Sequence, residues 1–173
     1  DNAERIDGMR TQIEQWFTSE LISEKEYVHL LSILIECVSL VSNIPGTYGA
    51  FNNSWDSRAL KELQLTEGIH QSLLCRNNSE NYRDNVTYNS DIRSVISDVD
   101  SDILYLDPPY NERDYSVYYH VLETIYNYDN PELKDNKTGT KVHQNKSKWC
   151  NKSSCRSELE HIVTNSVSRV IVL

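Results

Sequence analysis

The tetrapeptide Asp107-Pro108-Pro109-Tyr110 follows directly on the apolar run Ile103-Leu104-Tyr105-Leu106, and no other feature constrains this chain as much. The run is short, apolar and bounded by Asp and Pro, which predicts a β-strand over Asp102–Leu106. Two successive prolines donate no backbone hydrogen bond and so cannot continue a sheet ladder. They stiffen the chain as it leaves the sheet, with a carboxylate before them and an aromatic ring after them. In open α/β sheets, ligands bind outside the carboxyl ends of the strands. The Asp107 carboxylate and the Pro108 carbonyl only accept hydrogen bonds, which suits an exocyclic amino group with two N–H donors. The Tyr110 face suits stacking on a flat heterocycle, at about 1–3 kcal/mol per base. A planar base with an amino group is the natural occupant, and a base inside a duplex has to be flipped out to reach such a site.

The chain has 173 residues, enough for one domain with a real core, and its apolar and charged fractions are those of an ordinary soluble protein. No stretch approaches the roughly 18 apolar residues of a membrane span. The most apolar segment, Tyr27–Val41, is interrupted by His29, Ser32, Glu36 and Ser39. No signal-peptide pattern opens the chain. The net charge of −9 argues against a generic polyanion binder, but its distribution is uneven. Residues 1–133 hold 9 basic and 23 acidic side chains. Residues 134–156 hold seven basic ones (Lys134, Lys137, Lys141, Lys146, Lys148, Lys152 and Arg156) against Asp135 alone. Such a tract after the proline motif suits contacts with backbone phosphates, or is simply a solvated surface loop. Of the four cysteines, only Cys150 and Cys155 lie close together, and neither His143 nor His161 completes a zinc spacing. Reduced thiols, no metal and a cytoplasmic location are expected.

Apolar residues Ile6, Met9, Ile13, Trp16 and Phe17 predict a helix over residues 3–19. Ser23 and Glu26 form a capping box for a second, largely buried helix running to about Ser42. Pro45-Gly46 ends it, and Gly46–Trp55 reads as a loop. A short helix is expected over Ser57–Leu65, a short strand over Val86–Tyr88 and a helix over Asp91–Val99. Residues 66–84 give no readable element. Tyr115–Tyr128 reads as a helix terminated by Pro131, and residues 130–153 as a long basic loop, a length usually functional or disordered. A helix over Ser154–Asn165 and a strand over Ser168–Leu173 complete the chain. Strand and helix alternation of this kind is an α/β pattern with a mostly parallel sheet.

The chain resembles the DNA adenine-N(6) methyltransferases of the Dam-like (DpnII-type) class, which use S-adenosyl-L-methionine. The residues that carry the resemblance are Asp102–Tyr110 with Asn111-Glu112-Arg113-Asp114-Tyr115 and Tyr118-Tyr119-His120-Val121-Leu122-Glu123, then Asn89-Ser90-Asp91, then Gly46-Thr47-Tyr48-Gly49-Ala50-Phe51 with Trp55 and Arg58-Ala59-Leu60. It extends over about residues 20 to 173. The fold it implies is a Rossmann-like methyltransferase sheet, incomplete here, with a helical insert. Residues 1–85 correspond to the insert and target-recognition region, and residues 86–173 to part of the catalytic domain. The family opens with a Gly-rich strand-to-helix turn for the cofactor. This chain has five glycines, none in such a turn, so it is expected to be a piece of a larger enzyme that binds the cofactor weakly or not at all by itself.

What the resemblance implies is methyl transfer from S-adenosyl-L-methionine to the amino group of an adenine flipped out of double-stranded DNA, in a restriction-modification setting. The amino nitrogen attacks the methyl carbon directly, with no covalent enzyme intermediate. Asp107 and Pro108 would accept from the amino group, Pro109 would stiffen the corner, and Tyr110 would stack on the base. Asp91, Ile92 and Asp107 would face the cofactor, and Asp91 also suits a helix N-cap. Asn111, Arg113, Tyr115 and Tyr118 would shape the target pocket or fill the gap left by the flipped base. Lys137, Lys141, Lys146 and Lys148 would meet phosphates. Tyr119 and Leu122 read as core-facing, and His120 is not needed as a base. Arg58, Lys61, Arg76 and Arg83 suit either guanine readout or surface ion pairs. Tetrapeptides of this kind also serve amino methylation of RNA or cytosine, and a degenerate, non-catalytic nucleic-acid-binding domain would keep the same sheet.

Overall fold

The computed structural model describes residues 1–66, 86–109, 111–142 and 146–173. In chain order, the elements are helices α1 (Asn2–Thr18), α2 (Glu24–Leu40) and α3 (Ile92–Val95), strand β1 (Ile103–Tyr105), helix α4 (Tyr115–Asn127), a 3₁₀ turn (Lys148–Cys150), helix α5 (Cys155–Asn165) and strand β2 (Val170–Val172). The chain divides into two compact units, one of Asp1–Tyr82 with Ser116–Val142, the other of Arg83–Tyr115 with His143–Leu173. Among the described residues, no helix is long and apolar enough to cross a membrane.

The first unit is helical. Ile6, Met9 and Ile13 of α1 face Leu31, Leu34 and Val38 of α2, and Val121, Leu122 and Ile125 of α4 close the same core. Trp16, expected on the buried face, is instead exposed. The i, i+4 line from Ile13 leads to Phe17, which stacks on Tyr27 with ring centroids 4.2 Å apart. Glu20 sits in the left-handed region at φ 57. The Leu21 N–H reaches the Trp16 carbonyl at 2.9 Å and the Glu20 N–H reaches that of Phe17 at 3.0 Å. This is a Schellman termination with glutamate where glycine is usual. Ser23 and Glu26 then cap α2 reciprocally, as the sequence predicts. The hydrogen bond from the Ser23 backbone holds the Glu26 carboxyl below its ordinary range.

Arg10 of α1 is buried, and its Nε donates to the carbonyl of Ile125 at 2.7 Å and an Nη to that of Tyr126 at 3.3 Å. These carbonyls lie in the last turn of α4, where the helix offers them no partner of its own. Beyond α4, Glu132–Val142 folds back on itself. Val142 N–H donates to Glu132 O at 3.0 Å, Lys134 N–H to Thr140 O at 2.8 Å, and Leu133 pairs antiparallel with Lys141. Part of the expected long loop is therefore a hairpin, its turn held by Asn136 Oδ1 accepting from the backbones of Thr138 and Thr140 at 3.2 Å each.

The second unit holds a two-stranded parallel sheet in which Ile103, Leu104 and Tyr105 face Val170, Ile171 and Val172. Ile96, Leu106 and Ile162 form its core, with Leu104, Leu159 and Ile171 packed against them. Three expected elements differ. Residues 57–60 form turns rather than a helix, because Asp56 accepts the Arg58 N–H on its side chain (2.8 Å) and the Ala59 N–H on its carbonyl (3.0 Å), which closes the backbone locally. Val86–Tyr88 is exposed and makes no strand, since a three-residue run is a strand only when a neighbour pairs with it. The helix after Asp91 is one turn long, ending where Ser97 and Asp98 follow, residues whose side chains compete for the backbone.

Candidate functional site

The corner after β1 is set by Leu106. Its side chain is buried and its N–H donates to Val172 O at 2.8 Å, so the chain stays on the sheet until Leu106 and leaves it at Asp107. Asp107 is exposed at the carboxyl end of the parallel pair, with Pro108 and Pro109 half-buried behind it. Tyr110 lies outside the described residues, as do Cys75, Arg76, Arg83 and His143. Asn111 Oδ1 accepts the Arg113 N–H at 2.8 Å, which closes an Asx turn. Asn111 and Arg113 are exposed. Tyr115, 40% exposed, opens α4.

Asp114 has a part that its sequence position did not reveal. Its Oδ2 accepts the Ser147 N–H at 2.7 Å and lies 3.9 Å from Cys150 Sγ. It therefore ties the basic segment at residues 146–150 to the residues that follow the proline motif. Burial pushes the Cys150 thiol above its usual range, and the negative charge of Asp114 adds to that shift.

A cleft of about 810 Å³ opens beside this tie, lined by Asp91, Ile92, Asp114, Lys146, Ser147, Lys148, Trp149 and Glu158. Two residues expected to face a cofactor, Asp91 and Ile92, thus share a cleft with two lysines expected to meet DNA. Asp107, Pro108 and Pro109 do not line it. Asp91 is the N-cap of α3, accepting the Arg93 N–H at 2.9 Å. Arg93 in turn pairs with the buried Glu158 at 3.0 Å, which fixes the start of α3 against α5. Lys146 and Lys148 are exposed.

The remaining expected residues belong to the helical unit. Tyr118 is half-buried, and its carbonyl accepts the Tyr48 N–H at 2.8 Å. His120 is buried, and its Nε2 lies 3.1 Å from the Tyr48 carbonyl, to which it donates. Both backbone groups of Tyr48 are thus held by α4. A Cβ on Gly49 would stand 3.4 Å from the Tyr118 ring, so glycine allows the loop to lie this close. Tyr119, expected in the core, is exposed, because His120, Val121 and Leu122 take the inward positions of that turn. Lys137 is exposed at the hairpin turn, whereas Lys141 is buried and pairs with Asp129 at 3.3 Å. Arg58 pairs with its neighbour Asp56 at 3.2 Å.

The chain is 43% identical over 174 residues to the Type II methyltransferase M.FokI of Planomicrobium okeanokoites, covering 100% of this chain and 26% of that protein. It is 42% identical over 162 residues to the modification methylase LlaI of Lactococcus lactis subsp. lactis, covering 94% of this chain and 25% of the relative. To the Type II methyltransferase M.NlaIII of Neisseria lactamica it is 35% identical over 173 residues, covering 100% of this chain and 49% of the relative. The chain therefore spans between a quarter and a half of the length of these relatives. No solved structure matches it. The family model for D12 class N6 adenine-specific DNA methyltransferases matches residues 1–170, and the chain belongs to that family.

Proposed function

We propose that this chain carries the target-base corner of a DNA methyltransferase that moves a methyl group from S-adenosyl-L-methionine to the exocyclic amino group of a flipped adenine. The observation that carries this reading is the exposed Asp107 at the carboxyl end of a parallel strand pair, in a chain matched over residues 1–170 by an adenine-specific family. The names of the relatives, Type II methyltransferases and a modification methylase, support a restriction-modification setting and hence a cytoplasmic enzyme acting on double-stranded DNA.

The chemistry asked of the corner is modest. The lone pair of an aromatic amino nitrogen is delocalised into the ring, and acceptors on its two hydrogens draw that pair back onto nitrogen. The Asp107 carboxylate and the Pro108 carbonyl accept those hydrogens, and they stabilise the positive charge that develops on nitrogen as the bond to carbon forms. Tyr110 holds the ring plane by stacking. Pro108 and Pro109 keep the acceptors in place without reorganisation.

The cleft beside Asp91 has the volume of a small-molecule site, large enough for an adenosine group. The Asp91 carboxylate keeps acceptor capacity beyond the one N–H it caps, and Ile92 offers an apolar contact. S-Adenosyl-L-methionine, when bound, supplies an electrophilic methyl group. Asp91 and Ile92 would hold its nucleoside end.

We assign β1 and β2 to the middle of a Rossmann-like sheet. Both strands are apolar on both faces, the pattern of strands covered from two sides. Target recognition falls to the helical segment 1–85 and chemistry to residues 86–173. A rival, the non-catalytic domain, predicts no transfer at all. Asp107→Ala in the complete protein is expected to reduce labelled methyl transfer to DNA to background, with the product of the wild type identified as N6-methyladenine. Methylated cytosine, or full activity in the variant, would contradict the assignment.

A further inference from the structure

The loop between α2 and the turns at residues 57–60 is tightly fastened yet shows two large aromatic rings to solvent. Tyr48 is held through both backbone groups, its N–H by Tyr118 O at 2.8 Å and its carbonyl by His120 Nε2 at 3.1 Å. Its ring hydroxyl meets Ser42 Oγ at 3.0 Å. Asn43 then holds the next stretch from three sides. Its carbonyl accepts the Asn52 N–H at 3.1 Å, its Nδ2 donates to the Asn52 carbonyl at 3.2 Å, and its Oδ1 accepts the Asp56 N–H at 2.9 Å. Within this frame Phe51 is 51% exposed and Trp55 is 71% exposed. Polar Asn52, Asn53 and Ser54 lie between them.

A mobile loop can expose a tryptophan by default, but a loop pinned at Tyr48, Asn52 and Asp56 carries its rings on a fixed backbone. Rigid aromatic rings lose little conformational entropy on binding and present a flat face to a flat partner. Trp55 also walls an open groove of about 430 Å³ together with Asp1, Arg5, Leu60, Lys61 and Glu62. Arg5 is ion-paired with Glu62 there, and Lys61 is exposed. Flat exposed rings flanked by amide and hydroxyl side chains are the chemistry of a surface that stacks on nucleobases.

We infer that Phe51 and Trp55 are DNA-contacting residues that stack on or wedge between bases of the bound duplex, on a loop held in place by Asn43 and by the α4 clamp on Tyr48. This assignment rests on the proposed DNA methyltransferase activity and adds contact residues to it that neither the proline motif nor the basic tract contains.

The test measures binding of the complete protein to a mixed-sequence DNA duplex by fluorescence anisotropy, and separately methyl transfer. Phe51→Ala and Trp55→Ala are expected each to weaken duplex binding about ten-fold, the order of one lost stacking contact. Affinity for S-adenosyl-L-methionine and the thermal midpoint should stay at wild-type values, and Trp55→Phe should restore most of the binding. Leu21→Ala, which removes an equally exposed side chain from another loop, should bind DNA as the wild type does. Wild-type binding in both aromatic variants would overturn the inference while leaving the methyltransferase reading intact. So would a lowered thermal midpoint with unchanged DNA affinity, which would mark the rings as packing residues under another part of the protein. Abolished methyl transfer in Asp107→Ala beside unaffected Trp55→Ala separates the two readings, and a wild type that binds no duplex overturns both.

Discussion

Arg10 shows how one side chain can join elements remote in sequence. Its guanidinium donates to two carbonyls at the end of α4 and pairs with Glu14 at 2.8 Å, and it lies 4.4 Å from the centroid of the Tyr128 ring. Placing a cation there also suits the negative end of the helix. Arg10→Ala is expected to destabilise the protein by about 3 kcal/mol, because buried carbonyls and a carboxylate lose their donor. A lowered urea midpoint is the readout. The Arg10 hydrogen bond, then that of Tyr27, holds the Glu14 carboxyl below the ordinary glutamate range. A depressed folded-state pKa contributes stability above the usual value of about 4.3 and loses it as pH falls through the folded value, so the variant should lose part of the wild type's acid sensitivity. Cys150 runs the other way. Its thiol is shifted up by burial and by Asp114, so it stays protonated in the folded state. Stability from this site is complete below the usual thiol range near about 8.5 and is lost as pH rises through the folded value. Alkylation near neutral pH, followed by mass spectrometry, should be much slower at Cys150 than at the half-exposed Cys155. Equal rates would contradict the burial.

At the scale of elements, the helices follow local rules and their connections follow contacts. The termination of α1 is a Schellman turn that glycine would adopt more easily than Glu20 does at φ 57. Glu20→Gly is expected to stabilise the helical unit by about 1 kcal/mol, seen as a raised thermal midpoint. A fall instead would show that the Glu20 side chain contributes more than its backbone costs. The hairpin at Glu132–Val142 was not readable from sequence, since its ladder has one bridged pair and its turn is built by the side chain of Asn136. The expected strand at Val86–Tyr88 and helix at Ser57–Leu65 failed for the same kind of reason. Both are too short for propensity to overcome the cost of nucleation without a partner.

At the scale of the whole chain, the net charge is −9, so on the proposed function attraction to DNA has to come from a few local cations. Lys146 and Lys148 at the cleft and Lys137 at the hairpin turn face solvent. If each meets a phosphate, its replacement by Gln should reduce the slope of log affinity against log salt by about 0.9. Lys141→Gln should leave that slope unchanged, because the Lys141 ammonium is buried against Asp129. Titrations of DNA binding at several salt concentrations distinguish the two. The amphipathic helices, the Ser23 cap and the strand running into Asp107-Pro108-Pro109 were legible in the sequence, because periodicity, capping and proline chemistry act within a few residues. The burial of Arg10 against a carbonyl 115 residues away was not, nor was the tie of Asp114 to Ser147 across 33 residues. Nor could the sequence tell which lysines face water and which are already paired. Those outcomes belong to the tertiary structure alone, since a contact made by chain folding leaves no mark on the residues beside either partner.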